Sequence, residues 1–89
     1  MPLTKVRKEI DQLDDQLLKL IKKRAGLVKK VGLIKKKYKL PVINLKREAE
    51  IKVKLEKFAK QHDLNKEGLK KIWKALIDQA KVIEKKVKK

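Results

Sequence analysis

One amphipathic pattern runs through the first 37 residues of this chain and restricts what the chain can fold into. Apolar residues recur every three or four positions from Leu3 to Ile34, which predicts a single helix over residues 3–37. Such a helix is about 50 Å long, whereas a compact domain of 89 residues is only about 30 Å across. One copy of the chain is too small to cover that helix, so the pattern predicts a homodimer in which two first helices pair.

Two shorter helices account for most of the remaining chain. Asn44 and Asn65 have the short polar side chain preferred at an N-cap, and each precedes apolar residues at helical spacing. They predict helices over residues 44–62 and 65–86, joined by short turns. No strand-like alternation stands out, so the expected fold class is all-α, with residues 1–89 forming one three-helix domain.

Local signals also predict where the helices end and where they are interrupted. Thr4 is a suitable N-cap for the first helix, and Pro41 is expected to stop it because proline disfavours helical backbone in the preceding residue. The final residues, EKKVKK, are expected to fray. Gly26 and Gly32 each cost about 1 kcal/mol of helix propensity, which we expect close helix approach in the dimer to offset.

The chain carries a large excess of positive charge, which raises the question of nucleic-acid binding. It has 28 basic and 11 acidic residues, a formal net charge of +17. A nucleic-acid binder gathers basic residues on one face, and many stack bases on aromatic side chains. Here the lysines are spread around all three predicted helices, and only Tyr38, Phe58 and Trp73 are aromatic, so nucleic acid is the weaker interpretation.

Residues that the chain lacks exclude several kinds of site. Without cysteine there is no disulfide and no thiolate metal site, and His62 alone is not enough for a zinc site. We therefore expect no metal site. The charged N-terminus lacks the apolar core of a signal peptide, and no apolar run is long enough to cross a bilayer. These features predict a cytoplasmic location without membrane association.

Charged residues occupy positions where each helix should be apolar. Arg24 lies on the stripe of the first helix, and Lys35, eleven residues later, returns to nearly the same bearing. Arg47 and Glu48 fall on the inward side of the second helix, and Glu84 on that of the third. Each alone is explained by a side chain that reaches water from the edge of its stripe. Together they favour a polar site between the helices.

The few arginines of this lysine-rich chain indicate what such a site binds. Only Arg7, Arg24 and Arg47 among the 28 basic residues are arginine. Arg47 also stands near a helix N-terminus, where a cation is disfavoured by the helix dipole. A planar guanidinium binds a carboxylate or phosphate through two hydrogen bonds, which lysine cannot do. The ligand implied is a small anion with more than one carboxylate or phosphate.

Three stretches of the sequence together resemble the all-helical chorismate mutase family. The first is R-x-x-I-D-x-L-D-x-x-L-L-x-L-I-x-x-R, which runs from Arg7 to Arg24. The second is Lys35, eleven residues after Arg24, and the third is P-V-x-N-x-x-R-E, from Pro41 to Glu48. The resemblance covers nearly the whole chain and implies an intertwined homodimer of three-helix protomers with two equivalent active sites.

The resemblance implies that the charged residues bind chorismate. Arg24 and Arg7 would hold the two carboxylates of the substrate, with Arg7 donated by the other subunit. Arg47 would add positive charge nearby. Lys35 and Glu84 would reach the ether oxygen whose bond breaks.

Four further features of the implied site concern the ring hydroxyl and departures from the family pattern. Glu48 would accept a hydrogen bond from the ring hydroxyl, helped by the backbone of Asn44, where many members have aspartate. Ala80 stands where some members have a serine that touches a carboxylate. Glu84 replaces a common glutamine, and an ionised carboxylate cannot donate a hydrogen bond. We therefore predict that Glu84 acts in its protonated form and that activity rises as the pH falls.

The implied reaction is the intramolecular rearrangement of chorismate to prephenate by an isomerase of aromatic amino-acid biosynthesis. It requires no nucleophile, base, metal or cofactor, because holding the reactive conformer and stabilising charge on the ether oxygen suffice. An isochorismate-pyruvate lyase of the same fold is the alternative among enzymes. A basic helical nucleic-acid-binding protein is the alternative of a different class.

Overall fold

The molecule consists of three α-helices, and the third joins the other two. The computed structural model describes residues 1–89, with α1 spanning Pro2–Lys37, α2 spanning Leu45–His62 and α3 spanning Lys66–Lys88. α3 packs against both α1 and α2, which do not pack directly against each other. The predicted all-α fold class is confirmed, and each helix bound lies within two residues of the one expected.

Asparagine side chains begin both shorter helices. The side-chain oxygen of Asn44 accepts a hydrogen bond from the Arg47 N–H at 3.0 Å, and that of Asn65 accepts one from the Gly68 N–H at 2.8 Å. Each bond satisfies a backbone donor that has no partner within the first turn of its helix. Both predicted caps are confirmed, and the first fixes the turn that carries the charged residues of α2.

Two helix ends differ from the prediction. Thr4 is not a cap: α1 begins at Pro2 after Met1, because proline's fixed φ and missing N–H suit the first helical position. At the other end of the chain, α3 stays helical through Lys88 instead of fraying at the final residues. The Lys88 Nζ donates to the Leu40 carbonyl at 2.5 Å, a contact that ties the end of α3 to the loop after α1.

α1 ends before Pro41, as predicted, through a left-handed residue. Lys39 has a φ of 56°, and the Leu40 N–H donates to the Lys35 carbonyl at 2.8 Å. This is the closing hydrogen bond of a Schellman motif, which satisfies a carbonyl left free at a helix C-terminus. The loop to α2 therefore leaves α1 in a fixed direction, directly beyond Lys35.

α1 extends well beyond the rest of the molecule. The chain measures 56 × 26 × 14 Å with a radius of gyration of 16.3 Å, compared with about 12 Å for a compact domain of this length. Every residue from 1 to 23 is exposed, including Leu13, Leu17 and Leu20, whereas half-buried positions begin at Arg24. Only the second part of α1 is thus covered by its own chain.

The two glycines of α1 have different surroundings. Gly32 is buried against α3 of the same chain, where an added Cβ would lie 3.3 Å from the Glu84 Cα. The expectation that its close neighbour is the partner subunit is therefore wrong. Gly26 is exposed and has nothing within 4 Å of an added Cβ, so its proposed role in a dimer stays a prediction.

The core of the single chain is very small. Only four of 89 residues are buried, namely Gly32, Leu55, Ala59 and Glu84. One of these four, Glu84, carries a carboxylate. Charged groups are almost never buried without a partner. None of the helices is both long enough and apolar enough to cross a membrane.

Candidate active site

One cavity gathers almost all of the residues that the sequence singles out. It has a volume of about 430 Å³ and lies between α1, α2, α3 and the loop that precedes α2. Its lining includes seven of the eight predicted site residues: Arg24, Lys35, Asn44, Arg47, Glu48, Ala80 and Glu84. Arg7 is the exception. The charged residues that interrupt the apolar stripes of all three helices therefore line the same cavity.

Lys35 is held in the cavity by two contacts. Its Nζ lies 2.6 Å from the Glu84 Oε1 and donates to the Val42 carbonyl at 2.8 Å. The side chain is only 14% exposed, which is low for lysine. An ammonium group ordered in this way presents a fixed positive charge to any ligand in the cavity.

Glu84 is the buried carboxylate of α3. The residue is 6% exposed, and its Oε1 has no hydrogen-bond partner, because Lys35 approaches it as an ion pair outside hydrogen-bond angles. Buried polar atoms in native proteins nearly always have a hydrogen-bond partner, and exceptions point to a functional role. Glu84 and Lys35 together form a polar pair that a bound oxygen atom can join.

The first turn of α2 supplies the charged wall opposite α1. Because Asn44 fixes this turn, Arg47 and Glu48 are presented side by side on the cavity. The Arg47 side chain is 67% exposed and contacts Glu50 at 3.5 Å, so it is free to turn toward a ligand. Glu48 Oε2 lies 3.5 Å from the Nζ of Lys81 in α3, and this ammonium group balances the negative charge of Glu48.

The cavity combines this charge with apolar walls. Three cations, Arg24, Lys35 and Arg47, face two carboxylates, Glu48 and Glu84, which leaves one net positive charge. The rest of the wall is aliphatic apart from Asn44 and consists of Leu27, Val28, Val31, Val42, Ile51, Ile77 and Ala80. Apolar walls exclude water and strengthen electrostatic interactions. The arrangement suits a small anion that has a hydrocarbon body and several oxygen atoms.

Arg7 does not belong to the cavity of its own chain. It lies in the exposed part of α1, 17 residues before Arg24, which is about 25 Å along the helix. It lines none of the cavities described here. A role for Arg7 in catalysis stays a prediction that requires a second subunit.

Two further cavities of similar size lie beside the first. One, of about 410 Å³, lies between α2 and α3 near Lys70 and Trp73, and the other, of about 460 Å³, is bordered by Arg24 and Phe58. Neither contains Lys35 or the buried carboxylate of α3. The first cavity is therefore identified as the candidate site by the charged residues that line it and not by its volume.

The pKa shifts of the molecule lie outside this cavity. The Lys70 Nζ donates to the Glu56 Oε2 at 2.9 Å. This hydrogen bond lowers the pKa of Glu56 and raises the pKa of Lys70, and the attraction between the two charges adds to both shifts. The pair links α2 to α3 and has a structural role.

Sequence reasoning missed the residues that hold the predicted ones in place. The Val42 carbonyl accepts from Lys35, and Lys81 accompanies Glu48. Val42 belongs to the P-V-x-N-x-x-R-E stretch, so its motif was a usable signal. Lys81 is one lysine among many and carries no local signal.

Comparison with known proteins identifies relatives of this chain by sequence. The sequence model of the family described as chorismate mutase type II matches residues 6–85. A protein named chorismate mutase from Methanocaldococcus jannaschii is 35% identical over 83 residues, which cover 93% of this chain and 84% of that protein.

A bifunctional chorismate mutase/prephenate dehydratase from Aquifex aeolicus is 37% identical over 89 residues. This match covers 97% of the chain but only 25% of that longer protein. No solved structure matches the chain significantly. The family match covers most of the chain, and the Methanocaldococcus protein matches over most of its own length. The chain therefore belongs to the chorismate mutase type II family.

Proposed function

We propose that this protein is a chorismate mutase, an isomerase that converts chorismate to prephenate. The observation that carries the proposal is the single cavity in which Arg24, Lys35, Arg47, Glu48 and Glu84 meet. Membership of the family and the similarity to two proteins named for this activity support it.

The reaction explains why a cavity of cations and aliphatic side chains is sufficient. One carbon–oxygen bond breaks and one carbon–carbon bond forms within the same molecule, and no group leaves. The protein has to hold the substrate in its reactive conformer and stabilise negative charge that develops on the ether oxygen. Both requirements are met by positioned charges in a site from which apolar walls exclude water.

The arginines bind the substrate and the Lys35–Glu84 pair acts on the breaking bond. Arg24 holds one carboxylate through its planar guanidinium, and Arg47 turns in from the surface to add positive charge. Lys35 donates to the ether oxygen, and its contact with the Val42 carbonyl orders it before the substrate arrives. Glu48 accepts from the ring hydroxyl.

Glu84 has to be protonated to donate to the same ether oxygen. The charged groups that share the cavity with it are Lys35 and Arg24 from α1 and, across the cavity, Glu48 and Arg47 from α2. Only a protonated carboxyl can donate a hydrogen bond, so kcat should rise from about pH 8 to about pH 5.

The pH dependence has a direct control in Glu84→Gln. Glutamine donates at every pH, so this variant should have a nearly flat profile over the same range. A flat wild-type profile that Glu84→Gln leaves unchanged would contradict a protonated Glu84 without contradicting the mutase activity.

A second copy of the chain completes the site. The exposed part of α1 presents Leu13, Leu17 and Leu20 to solvent over several turns, an apolar surface that a stable protein covers. A second copy offers the same surface and pairs with it through a two-fold axis. Arg7 is absent from the cavity that gathers the other site residues, so we assign it to the site of the partner, where it binds the second carboxylate.

The first experiment measures the loss of chorismate by ultraviolet absorbance and identifies the product, at about pH 5 and about pH 7.5. We expect prephenate at both pH values and faster at the lower one. The variant Arg24→Ala should lose this activity, whereas Lys23→Ala, at an exposed neighbouring position, should retain it. Absence of turnover in folded, dimeric protein would contradict the proposal.

The same samples distinguish the alternatives. A lyase releases pyruvate from isochorismate, whereas the mutase reaction releases nothing. A nucleic-acid-binding protein would instead bind duplex DNA with an affinity that falls steeply with salt. Pyruvate release faster than prephenate formation would assign the cavity to the lyase reaction.

A further inference from the structure

We propose that Gly32 is a positioning residue for the reaction, because its missing side chain lets α3 lie close enough to α1 for Glu84 to reach Lys35. The inference rests on the proposed chorismate mutase activity. Gly32 itself does not line the cavity, so it acts only through the two residues whose separation it sets.

Gly32 faces both the backbone of α3 at Glu84 and the side chain of Val87. A Cβ added there would lie 3.3 Å from the Glu84 Cα and 3.2 Å from the Val87 Cβ. Such distances are tighter than ordinary contacts, so the neighbouring atoms would have to yield by a few tenths of an ångström. The Val87 side chain can adjust, but the Glu84 Cα cannot rotate away, so relief of that contact has to widen the separation between α1 and α3.

The same contact sets the geometry of the polar pair. Lys35 lies three residues after Gly32, on the next turn of the same face of α1. Glu84 contributes its Cα to the contact with Gly32 and its carboxylate to the contact with Lys35, at 2.6 Å. Both side chains are largely buried, at 14% and 8% exposure, so neither can easily follow a displaced helix.

Gly26 provides a matched control in the same helix. It lies six residues before Gly32, is exposed, and has nothing within 4 Å of an added Cβ. Helix geometry also sets it at least about 120° around α1 from Leu13, Leu17 and Leu20, away from the proposed interface. Replacing either glycine with alanine brings the same gain in helix propensity. A difference between the two variants therefore reports the contact with α3 and not the change in helix propensity.

The experiment compares kcat and KM for Gly32→Ala, Gly26→Ala and the wild type. We expect Gly26→Ala to stay within about twofold of the wild type in both constants. Gly32→Ala should lose about tenfold or more in kcat with KM within about threefold, because small displacements at the reacting bond lower kcat while Arg24 and Arg47 still bind substrate. Circular dichroism and sedimentation should show unchanged helix content and assembly.

A double-mutant cycle separates positioning from general loosening. Glu84→Ala removes the carboxylate that Gly32 is proposed to position, so adding Gly32→Ala to it should change the remaining kcat by less than about twofold. An equal loss of kcat in both backgrounds would show a merely structural role and overturn the inference.

The outcomes also separate this inference from the proposed function. Wild-type kcat in Gly32→Ala would overturn the positioning role and leave the mutase activity intact. A wild-type protein that does not convert chorismate would overturn both. The melting temperature tests the close contact without relying on activity. We expect Gly32→Ala to melt at a lower temperature than Gly26→Ala, and equal melting temperatures would contradict the close contact.

Discussion

The two halves of α1 carry the same amphipathic pattern but meet different surroundings. Residues 2–23 are exposed throughout, whereas residues 24–37 lie against α3 and contribute Arg24 and Lys35 to the cavity. The apolar repeat is alike in both halves, so it does not reveal which surface a stretch will meet. The charged residues on the apolar stripe do reveal it. Arg24 and Lys35 both lie in the half of α1 that its own chain covers and that contributes to the cavity.

The largest effect should come from the polar pair in the covered half. Lys35→Met removes the ammonium beside the ether oxygen and should lower kcat about 100- to 1000-fold, as expected for loss of one preorganised donor. Lys36→Met removes the same charge from an exposed neighbouring position and should leave kcat nearly unchanged. Steady-state kinetics measures kcat for both variants. An equal loss in the two would contradict a role for Lys35 that its exposed neighbour does not share.

The next effect should come from the apolar stripe of the exposed half. Leu13→Glu places one carboxylate per subunit in the proposed interface and should weaken the dimer by about 3 kcal/mol or more, roughly 100-fold in Kd. Gln12→Glu adds the same charge about 100° around α1 from Leu13, off the apolar stripe, and should have little effect. Sedimentation over a range of concentrations measures both, and an unchanged Kd in Leu13→Glu would show that this stripe is not the interface.

Arg7 tests whether the exposed half contributes to catalysis as well as to assembly. Arg7→Ala removes a charge-assisted contact with a carboxylate and should raise KM about 10- to 100-fold. Lys8→Ala, at the next position, should leave KM unchanged. Both variants should remain dimeric in sedimentation.

Mixing two defective variants shows which subunit uses Arg7. When Arg7→Ala and Lys35→Met subunits are unfolded together and refolded in equal amounts, half of the dimers are mixed. Each mixed dimer has one intact site only if Arg7 acts in the partner, so about a quarter of the wild-type kcat/KM should return at chorismate concentrations well below KM, where both parent variants are slow. Activity no higher than that of the separate variants would show that Arg7 acts within its own chain or not at all.

The smallest effect should come from the link between α2 and α3, which lies outside both halves of α1. Lys70→Met removes the hydrogen bond to Glu56 and should lower the Tm by about 1–3 °C at neutral pH, with kcat unchanged. Lys71→Met, at the exposed position beside it, should leave the Tm unchanged.

The sign of the pH dependence follows from the two pKa shifts. The pKa of Glu56 is lowered, so its contribution is present above its ordinary pKa of 4.5 and is lost as the pH falls through the lowered value. The pKa of Lys70 is raised, so its contribution is complete below 10.5 and is lost as the pH rises through the raised value. The Tm difference between Lys70→Met and the wild type should therefore shrink in acid.

The features that the sequence predicted correctly are determined by residues that lie close to one another along the chain. The Asn44 and Asn65 caps and the common face of Arg24 and Lys35 follow from helix geometry alone. The start of α1 was predicted wrongly because Thr4 and Pro2 are competing local signals, and proline at the first position prevailed.

What the sequence did not predict depends on how the helices are placed in space. The close approach of Gly32 to Glu84 joins residues 52 positions apart, and the contact of Lys88 with Leu40 joins residues 48 positions apart. No periodic pattern encodes such distances. The meeting of Lys35 with Glu84 was expected only from the family resemblance, since either residue alone resembles a side chain at the edge of its stripe.

In the proposed dimer, the small core of each chain would also link stability to the amount of protein present. Only four of 89 residues are buried within the single chain, so much of the free energy that holds the proposed dimer together would come from association. Folding then obeys mass action, and each tenfold dilution removes about 1.4 kcal/mol from the stability of the dimer. Activity per subunit should decline on dilution even at saturating substrate, because the sites disassemble before the substrate becomes limiting.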